Sequence, residues 1–113
     1  MEIVEIKATD KKAFDAHHEY VIRHYAEDAT GASNELFANI KFQKGPVKEY
    51  GINGCQNEHL IEIVIERLQA FQSGEFSCRE NAIAITKLEE ALMWLNKRTN
   101  DRIQLGIEGT SQK

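Results

Sequence analysis

The residues best suited to holding an anionic ligand lie in the second half of the chain. Arg98 and Arg102 are one helical turn apart in the segment MWLNKRTNDRIQ. Their guanidinium groups can bind a phosphate or a diphosphate through paired, charge-assisted hydrogen bonds. A structural explanation is also open, because cations near the end of a helix stabilise its dipole and pair with acids such as Asp101.

Side chains for catalysis or metal binding are scarcer. His17 and His18 are adjacent, so they point in different directions, and neither H-E-x-x-H nor a Cys/His cluster occurs. Cys55 and Cys78 match no C-x-x-C spacing, and we expect two free, mostly buried thiols. We therefore predict no catalytic residue, no metal site and no cofactor, and expect the protein not to be an enzyme.

A short glycine-rich segment, Gly51-Ile52-Asn53-Gly54, stands before a predicted helix. Backbone N–H groups in such a segment can face a phosphate at the start of a helix. A plain turn followed by a helix cap explains the same residues. The segment is therefore a second candidate binding site, formed by Gly51, Asn53 and Gly54.

Composition limits the possible classes of function. The chain has 113 residues and a formal net charge of −4, which suits one domain and opposes non-specific DNA or RNA binding. Its longest apolar runs, Ala82–Ile85 and Ala91–Leu95, are far shorter than the 20 or so residues of a membrane span. No charged-then-apolar leader opens the sequence, so we expect a cytoplasmic protein without a secretory signal.

The N-terminal third is predicted to be a small sheet with a packed helix. Glu2–Lys7 is typical of a strand, and Thr9 or Asp10 can cap a helix that runs to about Asp28. That helix would carry one apolar and aromatic face: Ala13, Phe14, His17, Tyr20, Val21, His24 and Tyr25. A loop over Asp28–Asn34 would then lead to a strand over Leu36–Gln43, in which Leu36, Ala38, Ile40 and Phe42 point one way.

The remaining residues are predicted to form an antiparallel helical hairpin. Lys44–Gly54 contains the only proline and is turn-rich, with room for a short strand around Val47–Tyr50. A first helix, capped by Asn53 with Gln56, would run to about Gln72. Ser77 and Glu80 form a capping box for a second helix from Cys78 to Leu105, ended by Gly106.

The apolar stripe of the second helix continues past the end of the first helix. Ile85, Leu88, Leu92 and Leu95 form this stripe. Because the stripe needs a further surface to cover it, we expect self-association, most simply as a two-fold dimer. The predicted fold is α+β in a single domain, comprising residues 1–39, a hairpin portion over 40–110 and a tail over 111–113.

Several ordered polar and glycine positions between Ile40 and Thr110 resemble those of a family of small phage proteins. The family comprises Thoeris anti-defence protein 1 and anti-CBASS protein 2, which share a helical-hairpin domain. The matching segments are 42–49 (FQKGPVKE), 51–56 (GINGCQ), 76–82 (FSCRENA), 86–91 (TKLEEA), Trp94-Leu95, Arg98-Thr99, Arg102 and 106–110 (GIEGT). The strand-and-helix portion before the hairpin resembles the Thoeris branch more closely.

This resemblance implies a sponge that sequesters immune signalling nucleotides in the infected bacterial host. Ligands of the family include glycocyclic ADP-ribose, cyclic dinucleotides and cyclic trinucleotides, and its members are dimers or hexamers. The resemblance places the cyclic ADP-ribose pocket on Phe71, Asn81, Arg98 and Arg102, with Arg79 as a neighbour. Cyclic trinucleotides would use a separate site near Gly51, Asn53 and Gly54.

Helix geometry adds a constraint of its own. Asn81 and Arg98 are 17 residues apart on one helix, or about 25 Å. One nucleotide cannot reach both within a single chain, so a shared pocket must lie between chains. Two alternatives remain open: a dimeric interaction protein without a nucleotide ligand, and a small nucleotide hydrolase, for which the sequence supplies neither a metal site nor a general base pair.

Overall fold

The computed structural model describes residues 2–28 and 31–111. The order of elements is three strands followed by three helices: β1 (Glu2–Ala8), β2 (Glu19–Asp28), β3 (Gly31–Lys41), α1 (Val47–Tyr50), α2 (Asn57–Gln72) and α3 (Arg79–Gln104). The chain divides between Cys55 and Gln56 into two compact units. The α+β class predicted from the sequence is confirmed, whereas the boundaries 1–39, 40–110 and 111–113 stay a prediction.

The first unit contains an antiparallel sheet with the order β1-β2-β3. The helix predicted from Thr9 or Asp10 to Asp28 is wrong, because β2 occupies the second half of that range and pairs on both of its edges. Tyr20, Val21 and Ile22 favour strands, and a run of three consecutive apolar or aromatic residues does not distinguish a strand from a helix by periodicity. Phe14 and Asp15 have positive φ angles of 49° and 73°, which a helix does not tolerate.

The strand predicted over Leu36–Gln43 is confirmed over Leu36–Lys41, the second half of β3, and Phe42 and Gln43 follow its end. The loop predicted over Asp28–Asn34 is wrong from Gly31 onward, where β3 begins, and residues 29–30 lie outside the described residues. The register shifts between Ile22 and Arg23, so that Ala38 pairs with Ile22 and Leu36 with Arg23. Successive β2 residues face opposite sides, so the irregularity removes Leu36 from the face that Ala38 and Ile40 share.

The segment after β3 forms a turn and a very short helix. The strand predicted around Val47–Tyr50 is wrong, since these four residues are α1. Phe42 and Cys55 form an isolated bridge that closes the segment. Both cysteines are free, as predicted, but Cys78 is exposed where a buried thiol was expected.

The second unit is the predicted helical hairpin. α2 ends at Gln72 as expected, but its N-cap is Gln56, so the prediction that Asn53 caps it is wrong. α3 has Cys78 as its N-cap, without a side-chain hydrogen bond, so the Ser77 capping box is wrong although the helix starts where expected. Gly106 ends the helix with a φ of 72°. The lengths of 16 and 26 residues, about 24 and 39 Å, confirm that α3 outruns α2.

Few large apolar side chains are fully buried among the described residues. Among the described residues, Ile65 is the one buried hydrophobic side chain, at 9% exposure. Large apolar side chains remain exposed in both units, including Ile6, Ile52, Phe76 and Trp94. Within the described part of the chain, no helix combines the length and the apolar character that a membrane crossing needs.

Candidate functional site

The candidate residues fall into two clusters at opposite ends of the hairpin. Phe71, Arg79 and Asn81 lie at the tip, where α2 ends and α3 begins, and Arg98 and Arg102 lie toward the other end of α3. The separation expected from the sequence is therefore present. The hairpin does not bring the two clusters together within one chain.

Aromatic rings define the tip cluster. Phe71 and Phe76 meet edge to face, with ring centroids 6.2 Å apart and an interplanar angle of 79°. The Arg67 guanidinium carbon lies 5.1 Å from the centroid of the Phe71 ring, within the range of a cation–π contact. Phe76 is 68% exposed, so the cluster offers aromatic surface on which a base can stack.

Asn81 stabilises the turn that carries Phe76. Its Nδ2 donates to the Phe76 carbonyl oxygen at 3.3 Å. The Gln72 side chain supports the same turn, because its Oε1 accepts from the Cys78 backbone N–H at 2.8 Å. Asn81 retains its carbonyl oxygen as an acceptor toward a ligand.

Arg98 lies in a cavity at the other end of the hairpin. The cavity measures about 300 Å³ and lies between the first turn of α2 and the last third of α3. Its lining residues are Gln56, Asn57, Glu58, Leu95, Arg98, Thr99 and Glu108. Among residues 2–28 and 31–111, the Arg98 side chain has no hydrogen bond or ion pair, so its guanidinium can take an external anion.

Arg102 has a different environment, although it is one turn away. It is buried at 8% exposure, and its Nε donates to Glu108 Oε2 at 3.1 Å. Its Nη2 donates to the carbonyl oxygens of Ile107 and Thr110, each at 3.0 Å. Arg102 therefore holds the turn after α3 and positions Glu108 at the wall of the Arg98 cavity.

The second candidate site lies in the first unit and is built around Asn53. The Asn53 Oδ1 accepts from the Lys44 backbone N–H at 2.7 Å, and its Nδ2 donates to the Lys44 carbonyl at 2.8 Å. Its own backbone N–H donates to Gln43 Oε1 at 3.0 Å. The amide of Asn53 thus fixes the turn before α2, which gives this residue a structural role.

The two glycines of this segment differ in their constraints. A Cβ on Gly54 would lie 2.4 Å from the Phe42 carbonyl carbon and oxygen, so this position requires glycine. Gly51 has a φ of 73° and open space where a Cβ would lie, and its carbonyl accepts from Gln43 Nε2 at 2.8 Å. Gly51 is therefore the more accessible of the two.

Two contacts at the candidate site were not found from the sequence. The spacing of four residues between Arg67 and Phe71 on one helix is compatible with their contact, but it does not single the pair out. Glu108 follows Arg102 by six residues across the Gly106 turn, and no helical spacing relates them. Within the described residues, no group of three or more His, Cys, Asp or Glu side chains gathers in a way that could hold a metal ion.

Comparisons with known proteins identify the hairpin. Residues 34–100 match the family model described as Acb2/Tad1, hairpin domain. The chain is also 49% identical over 121 aligned residues to a protein of Bacillus phage SBSphiJ7 named Thoeris anti-defense 1, covering 92% of this chain and 85% of that protein. Both findings agree with the resemblance drawn from the sequence, and the family match includes the tip cluster and Arg98.

Proposed function

Because this chain belongs to the Acb2/Tad1 hairpin family, we propose that it is a phage anti-defence protein that binds an immune signalling nucleotide and holds it intact. The relative from Bacillus phage SBSphiJ7 carries the name Thoeris anti-defense 1. We accordingly propose glycocyclic ADP-ribose, the product of Thoeris TIR proteins, as the ligand. The protein would act in the cytoplasm of the infected host.

The position of Arg98 carries the proposal. A guanidinium with no partner among the described residues lines a cavity of about 300 Å³, at the lower limit of typical ligand pockets. A diphosphate presents oxygens that such a guanidinium binds bidentately. Thr99 and the first turn of α2 add hydroxyl and backbone N–H donors to the same cavity.

The tip cluster supplies what a purine needs. Phe71 and Phe76 offer ring surface, and Asn81 offers a hydrogen-bond acceptor in the first turn of α3. Arg79 lies in the first turn of α3 and adds a positive charge beside them. We propose that these residues bind the base and the adjoining ribose.

The two clusters would act together only across two chains. About 25 Å separate Asn81 from Arg98 along α3, so the tip of one hairpin must lie beside the base of another. Self-association is thus part of the proposed mechanism, as a dimer or a hexamer. The exposure of Phe76 and Trp94 in the protomer supports it, since such surfaces are usually covered by a partner.

Arg102 contributes to the same site through the turn that it holds. Its donors face Glu108, Ile107 and Thr110, so a direct contact with the ligand requires that this turn move. We propose that Arg98 makes the first contact with the phosphates and that Arg102 maintains the cavity wall.

The Gly51–Gly54 segment is proposed as a second site for cyclic trinucleotides or dinucleotides. The side chain of Asn53 is engaged with Lys44, so the groups available there belong to the exposed backbone around Gly51. The alternative function, a dimeric interaction protein without a nucleotide ligand, draws its support from the exposed apolar residues alone.

The proposal is tested by incubation with a panel of glycocyclic ADP-ribose, cyclic dinucleotides and cyclic trinucleotides. Free ligand is removed by filtration, the protein is denatured by heat, and the released molecules are identified by mass spectrometry. A ligand that is depleted and recovered intact supports sequestration. No depletion would leave the interaction protein, and a linear product would reveal an enzyme.

A further inference from the structure

The cavity beside Arg98 carries acids as well as a base. Among the described residues that line it, Arg98 is the one cation, whereas Glu58 and Glu108 both have carboxyl groups. The remaining polar residues of the lining are uncharged: Gln56, Asn57 and Thr99. A wall of this composition does not attract negative charge at every point, so an anionic ligand fits best with its phosphates beside Arg98 and an uncharged part against the acids.

The Glu108 carboxylate has a fixed position in this wall. Its Oε2 accepts from Arg102 Nε at 3.1 Å. Arg102 is itself 8% exposed, and its Nη2 donates to the backbone carbonyl oxygens of Ile107 and Thr110. Because a buried and fully engaged guanidinium holds the carboxylate, Glu108 is oriented before any ligand arrives, which is a condition for selective binding.

The same carboxylate keeps unused capacity as an acceptor. Its side chain is 37% exposed, and among residues 2–28 and 31–111 its hydrogen bonds go to Arg102 alone. A carboxylate has two oxygens and about four acceptor positions, and it donates no hydrogen bond. The ligand group that Glu108 can bind is therefore a donor, such as a sugar hydroxyl, and not a phosphate oxygen.

We infer that Glu108 binds a hydroxyl of the second ribose, the one on the far side of the diphosphate from the base, and thereby selects a phosphoribosyl group over a terminal phosphate. This inference rests on the proposed function. The base and its own ribose are assigned there to the tip cluster, and the diphosphate to Arg98. A cavity of about 300 Å³ suits the remaining part of the ligand rather than the whole of it.

The chemistry of the proposed ligand agrees with this assignment. A glycosidic ring closure uses the anomeric carbon of the second ribose and leaves the neighbouring hydroxyls of that ribose free to donate. An acidic side chain that accepts from a ribose hydroxyl is also how dinucleotide-binding folds recognise this sugar. Arg98 and Glu108 thus supply a donor for the phosphate and an acceptor for the sugar within one cavity.

A nucleotide that ends in a phosphate is disfavoured by the same carboxylate. In ADP, the terminal phosphate carries additional negative charge at the point where the second ribose of ADP-ribose begins. Like charges that face each other in a binding site oppose binding and so provide specificity. Arg98 binds either phosphate, so the discrimination between the two ligands depends on Glu108.

The variant Glu108→Gln tests this role, because an amide oxygen can still accept from Arg102 while the negative charge is lost. Binding of glycocyclic ADP-ribose is measured by calorimetric titration, and binding of ADP-ribose and ADP by displacement of that ligand. We expect the variant to bind glycocyclic ADP-ribose and ADP-ribose at least about fivefold more weakly. We expect it to bind ADP at least about threefold more tightly, whereas a loss of structure would weaken all three.

Glu58→Gln is the matched control, since it removes an acid from the same cavity that has no ion pair with Arg102 among the described residues. It should change the affinities for ADP-ribose and ADP by the same factor, and urea unfolding verifies that both variants are folded. If wild type binds glycocyclic ADP-ribose but Glu108→Gln leaves the preference for ADP-ribose over ADP unchanged, the inference is overturned and the proposed function stands. A wild type that binds none of the three nucleotides would overturn both.

Discussion

Arg98 and Arg102 are one helical turn apart and have opposite environments. The guanidinium of Arg98 faces a cavity, whereas that of Arg102 is buried and bonded to the turn after α3. By residue type and spacing alone, both arginines could bind a phosphate. Only the turn around Gly106, which returns Glu108 to the helix, distinguishes the arginine proposed to bind the ligand from the one that maintains the structure.

This difference predicts separate effects of two substitutions. Arg98→Ala should weaken nucleotide binding by about 10- to 100-fold, since a charge-assisted contact is lost, and leave stability nearly unchanged. Arg102→Ala should lower the free energy of unfolding by about 1–3 kcal/mol, because Glu108 and two carbonyl oxygens lose their donor. Calorimetric titration and urea unfolding measure the two effects. An unchanged affinity in Arg98→Ala would contradict its assignment.

Asp10 is predicted to make stability depend on pH. Desolvation opposes its ionisation, but hydrogen bonds from the backbone N–H groups of His18 and Glu19 outweigh it and hold the pKa of the carboxyl below its ordinary value. The stabilisation is therefore present above the ordinary pKa of an aspartic acid and is lost as the pH falls through the lowered value. Asp10→Asn should abolish this part of the dependence.

The measurement compares urea unfolding of wild type and Asp10→Asn between about pH 6 and pH 3. The difference in unfolding free energy between the two proteins should become smaller as the pH falls. Asp15→Asn is a suitable control, because Asp15 is exposed at the tip of the same loop. A difference in unfolding free energy that stays constant with pH would show that ionisation of Asp10 does not contribute to stability.

At the scale of elements, the hairpin could be predicted and the sheet only in part. α2 and α3 have uninterrupted helical periodicity and a clear stop at each end, so local sequence determines them. β2 was predicted as part of a helix because Tyr20, Val21 and His24 follow a spacing of three and four residues, whereas the deciding factor is pairing with strands on both sides. That pairing depends on residues distant in sequence, which a local pattern does not contain.

The candidate site, like the sheet, could be predicted from the sequence only in part. The resemblance to the family, rather than periodicity, singled out Phe71, Asn81 and Arg98 as candidates, and their role stays a prediction. The contact between Arg67 and Phe71, and the role of Glu108, depend on side-chain directions that follow only from the folded turns.

The turn before α2 is predicted to require glycine at position 54 for lack of space. Gly54→Ala should destabilise the protein by about 1–3 kcal/mol, because its Cβ would overlap the backbone of Phe42. Gly74→Ala is the matched control, since nothing lies within 4 Å of the added atom there. Thermal unfolding of both variants measures this, and equal midpoints for Gly54→Ala and the wild type would indicate that the turn has no such constraint.

For the whole molecule, the amount of buried apolar surface is the dominant feature. One hydrophobic side chain is buried among the described residues, while side chains as large as Trp94 and Phe76 are exposed. If copies of this chain cover one another, as proposed, each copy gains stability from the contact. Folding, assembly and the proposed ligand site would then depend on the same surfaces.

This coupling predicts a midpoint of thermal unfolding that rises with protein concentration. Association stabilises the folded state by mass action, so a hundredfold increase in concentration should raise the midpoint by several degrees. Differential scanning calorimetry over that range measures it. A concentration-independent midpoint in the wild type would be evidence for a stable monomer.

The most direct test of sequestration is the recovery of an intact nucleotide from the protein. Wild type and Arg98→Ala are each incubated with glycocyclic ADP-ribose, freed of unbound ligand, denatured by heat and analysed by mass spectrometry. The wild type should deplete the nucleotide and release it with its mass unchanged, and Arg98→Ala should retain far less. A wild type that leaves the nucleotide in solution, or that releases a linear product, would contradict the function proposed for this protein.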